Sequence, residues 1–100
     1  MAKTTGFNTS ISDVVTLNTQ IIDYVTGLPI ITTYITIPIT GDEGSIVYED
    51  SAGNPRYHPY AFYGYNPIAA TKILSSAVID EVTYHTTATP LGWSGAIANA

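Results

Sequence analysis

Along residues 30–40, apolar and polar positions alternate. Ile31, Thr33, Ile35, Ile37 and Ile39 fall on one face, and Thr32, Tyr34, Thr36 and Thr40 on the other. A period of two carried by β-branched residues predicts a strand with one covered face. Pro38 deletes a ladder donor and predicts an edge or a bulge at that point. Gly27, Leu28 and Pro29 interrupt the chain before this segment, and Gly41-Asp42-Glu43-Gly44 turns it afterwards. A short strand over 45–49 and a turn over 50–55 complete a β-meander. Upstream, residues 14–26 read as one strand or two, 14–17 and 21–25. Downstream, 68–75 and 78–88 read as two more strands. In the second of these, Val82, Tyr84, Thr86 and Ala88 share a face opposite Glu81, Thr83, His85 and Thr87. Helix is poorly supported, and residues 68–81 are the one place a short helix fits. Residues 1–13 read as an extended arm and 89–100 as a small-residue tail with Trp93 as its one large anchor. The pattern therefore predicts an all-β fold: a small single domain over 1–100, with an extended N-terminal arm and a C-terminal tail.

Composition adds a reason for assembly. The chain of 100 residues is 45% hydrophobic but only 11% charged, against about 25% charged in an average soluble domain. Fifteen Thr, with Ser, Asn and Tyr, carry the polar load. Such a surface loses few charges on leaving water and is suited to burial against neighbours. There is no Cys, so neither a disulfide nor a Cys-based metal site can brace the small domain. Oligomerisation is then the expected stabiliser. A net charge of −5, with Lys3, Arg56 and Lys72 as the only cations, excludes a phosphate-neutralising stripe and so a nucleic-acid partner. The start of the chain lacks the apolar core of a secretory signal, and the apolar stretch at 24–41 contains two Pro and alternates, so no membrane helix is expected.

Chemistry is sparse. Asp42, Glu43, Glu49 and Asp50 flank one hairpin strand; they read as turn carboxylates, with a Ca²⁺ site as the sharper alternative, although their spacing matches no EF-hand or repeat-type loop. His58 and His85 read as structural or surface histidines without a third ligand beside them. No nucleophile elbow, phosphate loop or zinc motif is present, and neither enzymatic activity, a metal nor a cofactor is expected. Asn8-Thr9-Ser10 fits a glycosylation sequon and reads as chance. The run containing Tyr57, His58, Tyr60, Phe62, Tyr63 and Tyr65 carries the main candidate surface. It reads as a subunit contact or a core strand, with sugar stacking as the alternative. Alternation leaves both faces of this run aromatic, which predicts burial on both sides. Trp93, between Gly92 and Gly95, reads as a plug for a neighbour's pocket or for its own core.

Residues 35–93 carry a resemblance. Its residues are Gly41-Asp42-Glu43-Gly44, Ile46-Val47-Tyr48, Ala52-Gly53, Phe62, Gly64, Pro67, Ala70-Thr71-Lys72-Ile73-Leu74, Thr86-Thr87-Ala88-Thr89 and Leu91-Gly92-Trp93. In this order the segment resembles the short β-rich spike-base and head-decoration proteins of tailed phages and gene transfer agents. Two features depart from that pattern: residues 75–85 separate Lys72-Ile73-Leu74 from Thr86-Thr87-Ala88, and the aromatic run is longer. The resemblance implies a virion structural protein, a β-sandwich or barrel subunit, that decorates or cements a capsid or seats a spike. Its implied partners are copies of itself and the major capsid protein or other virion proteins; a trimer is the guess for the homo-oligomer. A glycan-binding adhesion module using the same tyrosines, and a subunit of an extracellular β filament, are the alternatives.

Overall fold

Pro and Gly punctuation divides the described chain, residues 9–11, 15–22, 27–89 and 92–97 of the computed structural model, into strands with no helix among them. In order these are β1 (Thr9–Ile11), β2 (Ile30–Ile37), β3 (Gly44–Glu49), β4 (Pro55–Ala61), β5 (Gly64–Asn66), β6 (Lys72–Leu74), β7 (Ser76–Ile79), β8 (Val82–His85) and β9 (Gly92–Ile97). A four-stranded sheet runs β1-β9-β2-β5, a three-stranded sheet β4-β3-β6, and β7 and β8 pair as a hairpin. Every pairing is antiparallel. The all-β expectation holds.

The alternating segment forms β2, but its buried face changes sides part-way along. Ile30 and Thr32 are buried at one end, Ile35 and Ile37 at the other. Thr32 opposes Gly95 and Tyr34 opposes Ser94, so Thr33 is an extra residue and the pleat resets across a β-bulge. The expected face of odd-numbered residues therefore holds only for Ile35 and Ile37; Thr33 is exposed. Pro38 ends the strand instead of bulging it, its carbonyl accepting the Gly41 N–H at 2.8 Å. Ile39, beyond the strand, is 81% exposed.

The bulge turns the start of β2 toward the 68–70 segment. The buried Thr32 hydroxyl donates to the Ile68 carbonyl and accepts the Ala70 N–H at 2.9 Å. The Thr32 N–H donates to the Ala70 carbonyl at 2.9 Å. These bonds shorten the strand expected over 68–75 to β6, because the backbone before Thr71 is pledged to β2 rather than to β3. The strand expected over 78–88 is interrupted by a two-residue turn, Asp80-Glu81, with φ of 52° and 70°. Positive φ at both central residues matches the twist of flanking hairpin strands. The predicted faces survive only from Tyr84 onward: Tyr84, Thr86 and Ala88 are sheltered and Glu81, Thr83, His85 and Thr87 exposed, but Val82, expected on the sheltered face, is exposed beside the turn.

Residues 15–22 form no strand. Asn18 takes a left-handed turn (φ 63°), its N–H bonded to the Ile73 carbonyl at 2.6 Å and its side-chain Oδ1 accepting the Ser75 N–H at 3.0 Å. The rest of the expected 14–26 segment, residues 14 and 23–26, lies outside the described residues. So do residues 1–8 and 12–13 of the expected arm, whose residues 9–11 form β1.

The expected tail is overturned for residues 92–97. These form β9, which lies between β1 and β2, and Trp93 is 4% exposed in the core. The small residues there permit close approach: a Cβ at Gly95 would sit 2.5 Å from the Ile31 carbonyl oxygen and 2.7 Å from the Thr32 Cα. Ile30, Ile35, Ile37 and Trp93 from the first sheet join Ile46, Ala61 and Ile73 from the second in one core, completed by Val15, Ile21, Ile68, Ala70 and Ala88.

The Thr-Thr-Ala run seams the hairpin to β3. Thr86 Oγ1 accepts the Val47 N–H at 2.8 Å and donates to the Leu74 carbonyl at 2.6 Å, and Thr87 Oγ1 accepts the Ser45 N–H at 2.8 Å. Among the described residues no buried side-chain polar atom lacks a partner.

Candidate functional site

The aromatic run is neither a core strand nor buried on both faces. It supplies β4, an edge of the three-stranded sheet, crosses over at Phe62 and Tyr63, and returns as β5, an edge of the four-stranded sheet. Pro55 and Pro59 have no N–H to give a further strand, which suits an edge. A bulge explains why counting odd and even residues failed here. Ile46 opposes His58 but Gly44 opposes Ala61, so β4 gains one residue in between. Ala61 then meets the core while Tyr57 and Tyr60, in phase with each other, face away from it.

The rings settle into pairs. Tyr57 lies 4.2 Å from Tyr84 of the hairpin, Tyr60 packs edge-on against Phe62 at 4.8 Å, and Tyr65 meets Tyr34 at 5.5 Å between centroids. All remain open to solvent on one side; Phe62 is 59% and Tyr65 70% exposed. Tyr57, Tyr60, Phe62, Tyr63 and Tyr65 are thus all exposed along the segment but in separate ring contacts on two sheets, and Trp93 is not among them because its own core holds it.

Two polar side chains hold the segment in shape, and sequence reading assigned neither this work. Asn66, buried, accepts the Phe62 N–H at 2.9 Å and donates to the Phe62 carbonyl at 2.8 Å and the Ile35 carbonyl at 3.2 Å. It closes the crossover, where Gly64 has φ 92°. Glu43 accepts the Tyr60 hydroxyl on Oε1 and the Tyr63 N–H on Oε2, both at 2.9 Å. The Tyr63 hydroxyl donates to the Gly41 carbonyl at 3.1 Å. Bonding to Glu43, then burial and the charge of that carboxylate, raise the Tyr60 hydroxyl above its ordinary pKa. Glu43 offered only its position at a turn, and Asn66, in β5, offered no signal; their partners are set by the crossover.

The four turn carboxylates go separate ways. Asp50 accepts the Ala52 and Asn54 N–H groups, each at 2.9 Å, and pairs with Arg56 Nε at 2.8 Å. The Arg56 hydrogen bond, then that from Asn54, holds the Asp50 carboxyl below its usual range. Glu49 lies 3.9 Å from Lys72 Nζ. The Asp42 backbone bridges to Thr89. No group of three or more His, Cys, Asp or Glu able to share a metal lies among the described residues. His58 opposes Ile46 in the sheet, and the His85 carbonyl accepts the Ser45 hydroxyl at 2.6 Å. A cleft of about 200 Å³ beside Trp93, lined by Val15, Thr19, Gln20, Ile21 and Ile22, is smaller than ordinary small-molecule sites, which run roughly 300–1,000 Å³. The arrangement at the aromatic run offers contact area and hydrogen-bonding rims. No protein-family model, curated protein or solved structure matches this chain.

Proposed function

We propose that this protein is a non-catalytic structural subunit of a phage-type virion, a capsid decoration or spike-base protein that assembles through its exposed aromatic segment. The observation that carries the reading is that Tyr57, Tyr60, Phe62, Tyr63 and Tyr65 stand exposed along β4, β5 and the crossover between them, which Asn66 and Glu43 brace. Aromatic side chains that are exposed yet already fixed can be buried with little further loss of freedom. Burying one such ring contributes about 2 kcal/mol, and Tyr is enriched among residues that dominate protein contacts. The resemblance of residues 35–93 to spike-base and head-decoration proteins supplies the setting, a virion, and the partners, copies of itself and capsid or other virion proteins.

Light scattering on the purified chain tests this against a Phe62→Ser/Tyr65→Ser variant. A discrete oligomer, a trimer on this reading, should fall to monomer in the variant while the thermal melt is kept. A wild-type monomer indifferent to both changes removes the self-assembly part of the reading. Saturable sugar binding by that monomer, lost in Tyr60→Ala or Tyr63→Ala, would instead assign the surface to adhesion.

A further inference from the structure

We infer that Tyr57 and Tyr84 form an oxidative cross-linking site, at which hydrogen peroxide acting through a peroxidase joins the two rings into a dityrosine that staples the β7–β8 hairpin to β4. The inference stands apart from the assembly reading, because both rings belong to one chain.

The use for a staple starts from composition. A domain of 100 residues without Cys has no disulfide to brace it, the usual device of small folds. The hairpin is a sheet of its own, bonded at its base to β3 through Thr86 and Thr87. Beyond that base it meets β4 at the Tyr57–Tyr84 pair, with ring centroids 4.2 Å apart and planes tilted by 32°.

Composition also directs the oxidant. Cys and Met are the side chains that oxidants ordinarily take first, and the chain has no Cys and a single Met, at position 1. Its one Trp, Trp93, is held in the core at 4% exposed. That leaves the tyrosines. Among the described residues two pairs of them meet ring to ring, Tyr57–Tyr84 and Tyr34–Tyr65, the latter at 5.5 Å and 59°. Tyr60 packs against Phe62, which has no hydroxyl to oxidise. Tyr57–Tyr84 is the closer and flatter pair, and Tyr57, 38% exposed, gives an oxidant access to it.

Each phenol gives up one electron and one proton to become a tyrosyl radical. The two radicals spend their unpaired electrons on one new C–C bond between ring carbons ortho to the oxygens. Those carbons then lose their hydrogens as protons and the oxygens take protons back, which restores both phenols. In sum the rings lose two hydrogen atoms, and one hydrogen peroxide accepts them to give two water molecules. Rings already in contact couple as one molecule, with the advantage that fixed geometry brings over chance encounter between chains.

The test treats a dilute solution of the full chain with hydrogen peroxide and a haem peroxidase, followed by dityrosine fluorescence, a denaturing gel, tryptic mass mapping and a thermal melt. Cleavage after Arg56 and Lys72 places Tyr57 in the peptide 57–72 and Tyr84, as its sole Tyr, in 73–100. The expected product runs as a single chain and joins those two peptides with the loss of two hydrogens. It should melt roughly 10 °C higher, as for closing a loop of this length. Tyr57→Phe and Tyr84→Phe keep the ring contact and should melt like the wild type before treatment, yet lose this link and its thermal gain. Tyr34→Phe should keep both. No dityrosine, links mainly between chains, an equal yield in Tyr57→Phe, or a main product joining 4–56 to 57–72 would each overturn the inference. In the Phe62→Ser/Tyr65→Ser variant the link should form as in the wild type, so this conclusion and the self-assembly reading can fall separately.

Discussion

Glu81 occupies the left-handed region at φ 70° in the β7–β8 turn, beside Asp80 at φ 52°. A Cβ-bearing residue there is strained by about 1 kcal/mol or more, whereas Gly is not. Glu81→Gly should therefore stabilise the protein by about 1 kcal/mol, raising the melting temperature by roughly 4–8 °C for a domain of this size. An unchanged or lower melting temperature would show that the Glu81 side chain contributes more than its backbone costs. The turn escaped sequence reading for the same reason: the Asn-Gly or Asp-Gly pair that announces such hairpins is replaced by Asp-Glu. Tyr60 supplies a second case. Its raised pKa means that the neutral phenol is favoured in the fold, so the stabilisation is complete below the ordinary value of 10.0 and is lost as pH rises through the higher folded value. In Glu43→Gln the Tyr60 ring carbons, followed by NMR against pH, should titrate closer to that ordinary value. A midpoint unmoved by the substitution would contradict the assigned cause.

Among the elements, β2 was legible from its period of two, and its fault was not. Thr33 looks like every other Thr in the segment; only the partner strand reveals that it is the surplus residue. Gly95 is the counterpart of that bulge, since any Cβ there meets the Ile31 oxygen and the Thr32 Cα, backbone atoms unable to step aside. Gly95→Ala should destabilise the protein by about 1–3 kcal/mol, the usual cost of overpacking, seen as a lower urea midpoint with an unchanged slope. A neutral effect would mean that β2 and β9 pair more loosely than described. The aromatic run shows the same division. Its residues stood out at once, but odd and even counting gave the wrong burial because the β4 bulge puts Tyr57 and Tyr60 in phase. Local pattern reports a residue's inclination, whereas a bulge is decided between strands.

Across the whole molecule, the segment most misjudged from sequence is residues 92–97 of the expected tail. Gly, Ser and Ala around one Trp suggest a loose end, yet β9 runs between β1 and β2 with Trp93 in the core. Removing residues 91–100 should therefore abolish the cooperative thermal transition and collapse the amide spectrum toward that of an unfolded chain. A truncated chain that melts like the intact one would refute the interior placement of β9.

The position of β9 also sets a timetable for biogenesis. In the first sheet β2 meets β9, which is made much later, and its other neighbour β5 is only three residues long. As the chain emerges during synthesis, Ile30, Ile35 and Ile37 must wait without their cover until Trp93 arrives. Pairings that span so much sequence close slowly, and apolar strands exposed in the interval invite mistaken association. Under the proposed assembly, each subunit would complete its last strand before its aromatic segment meets a neighbour.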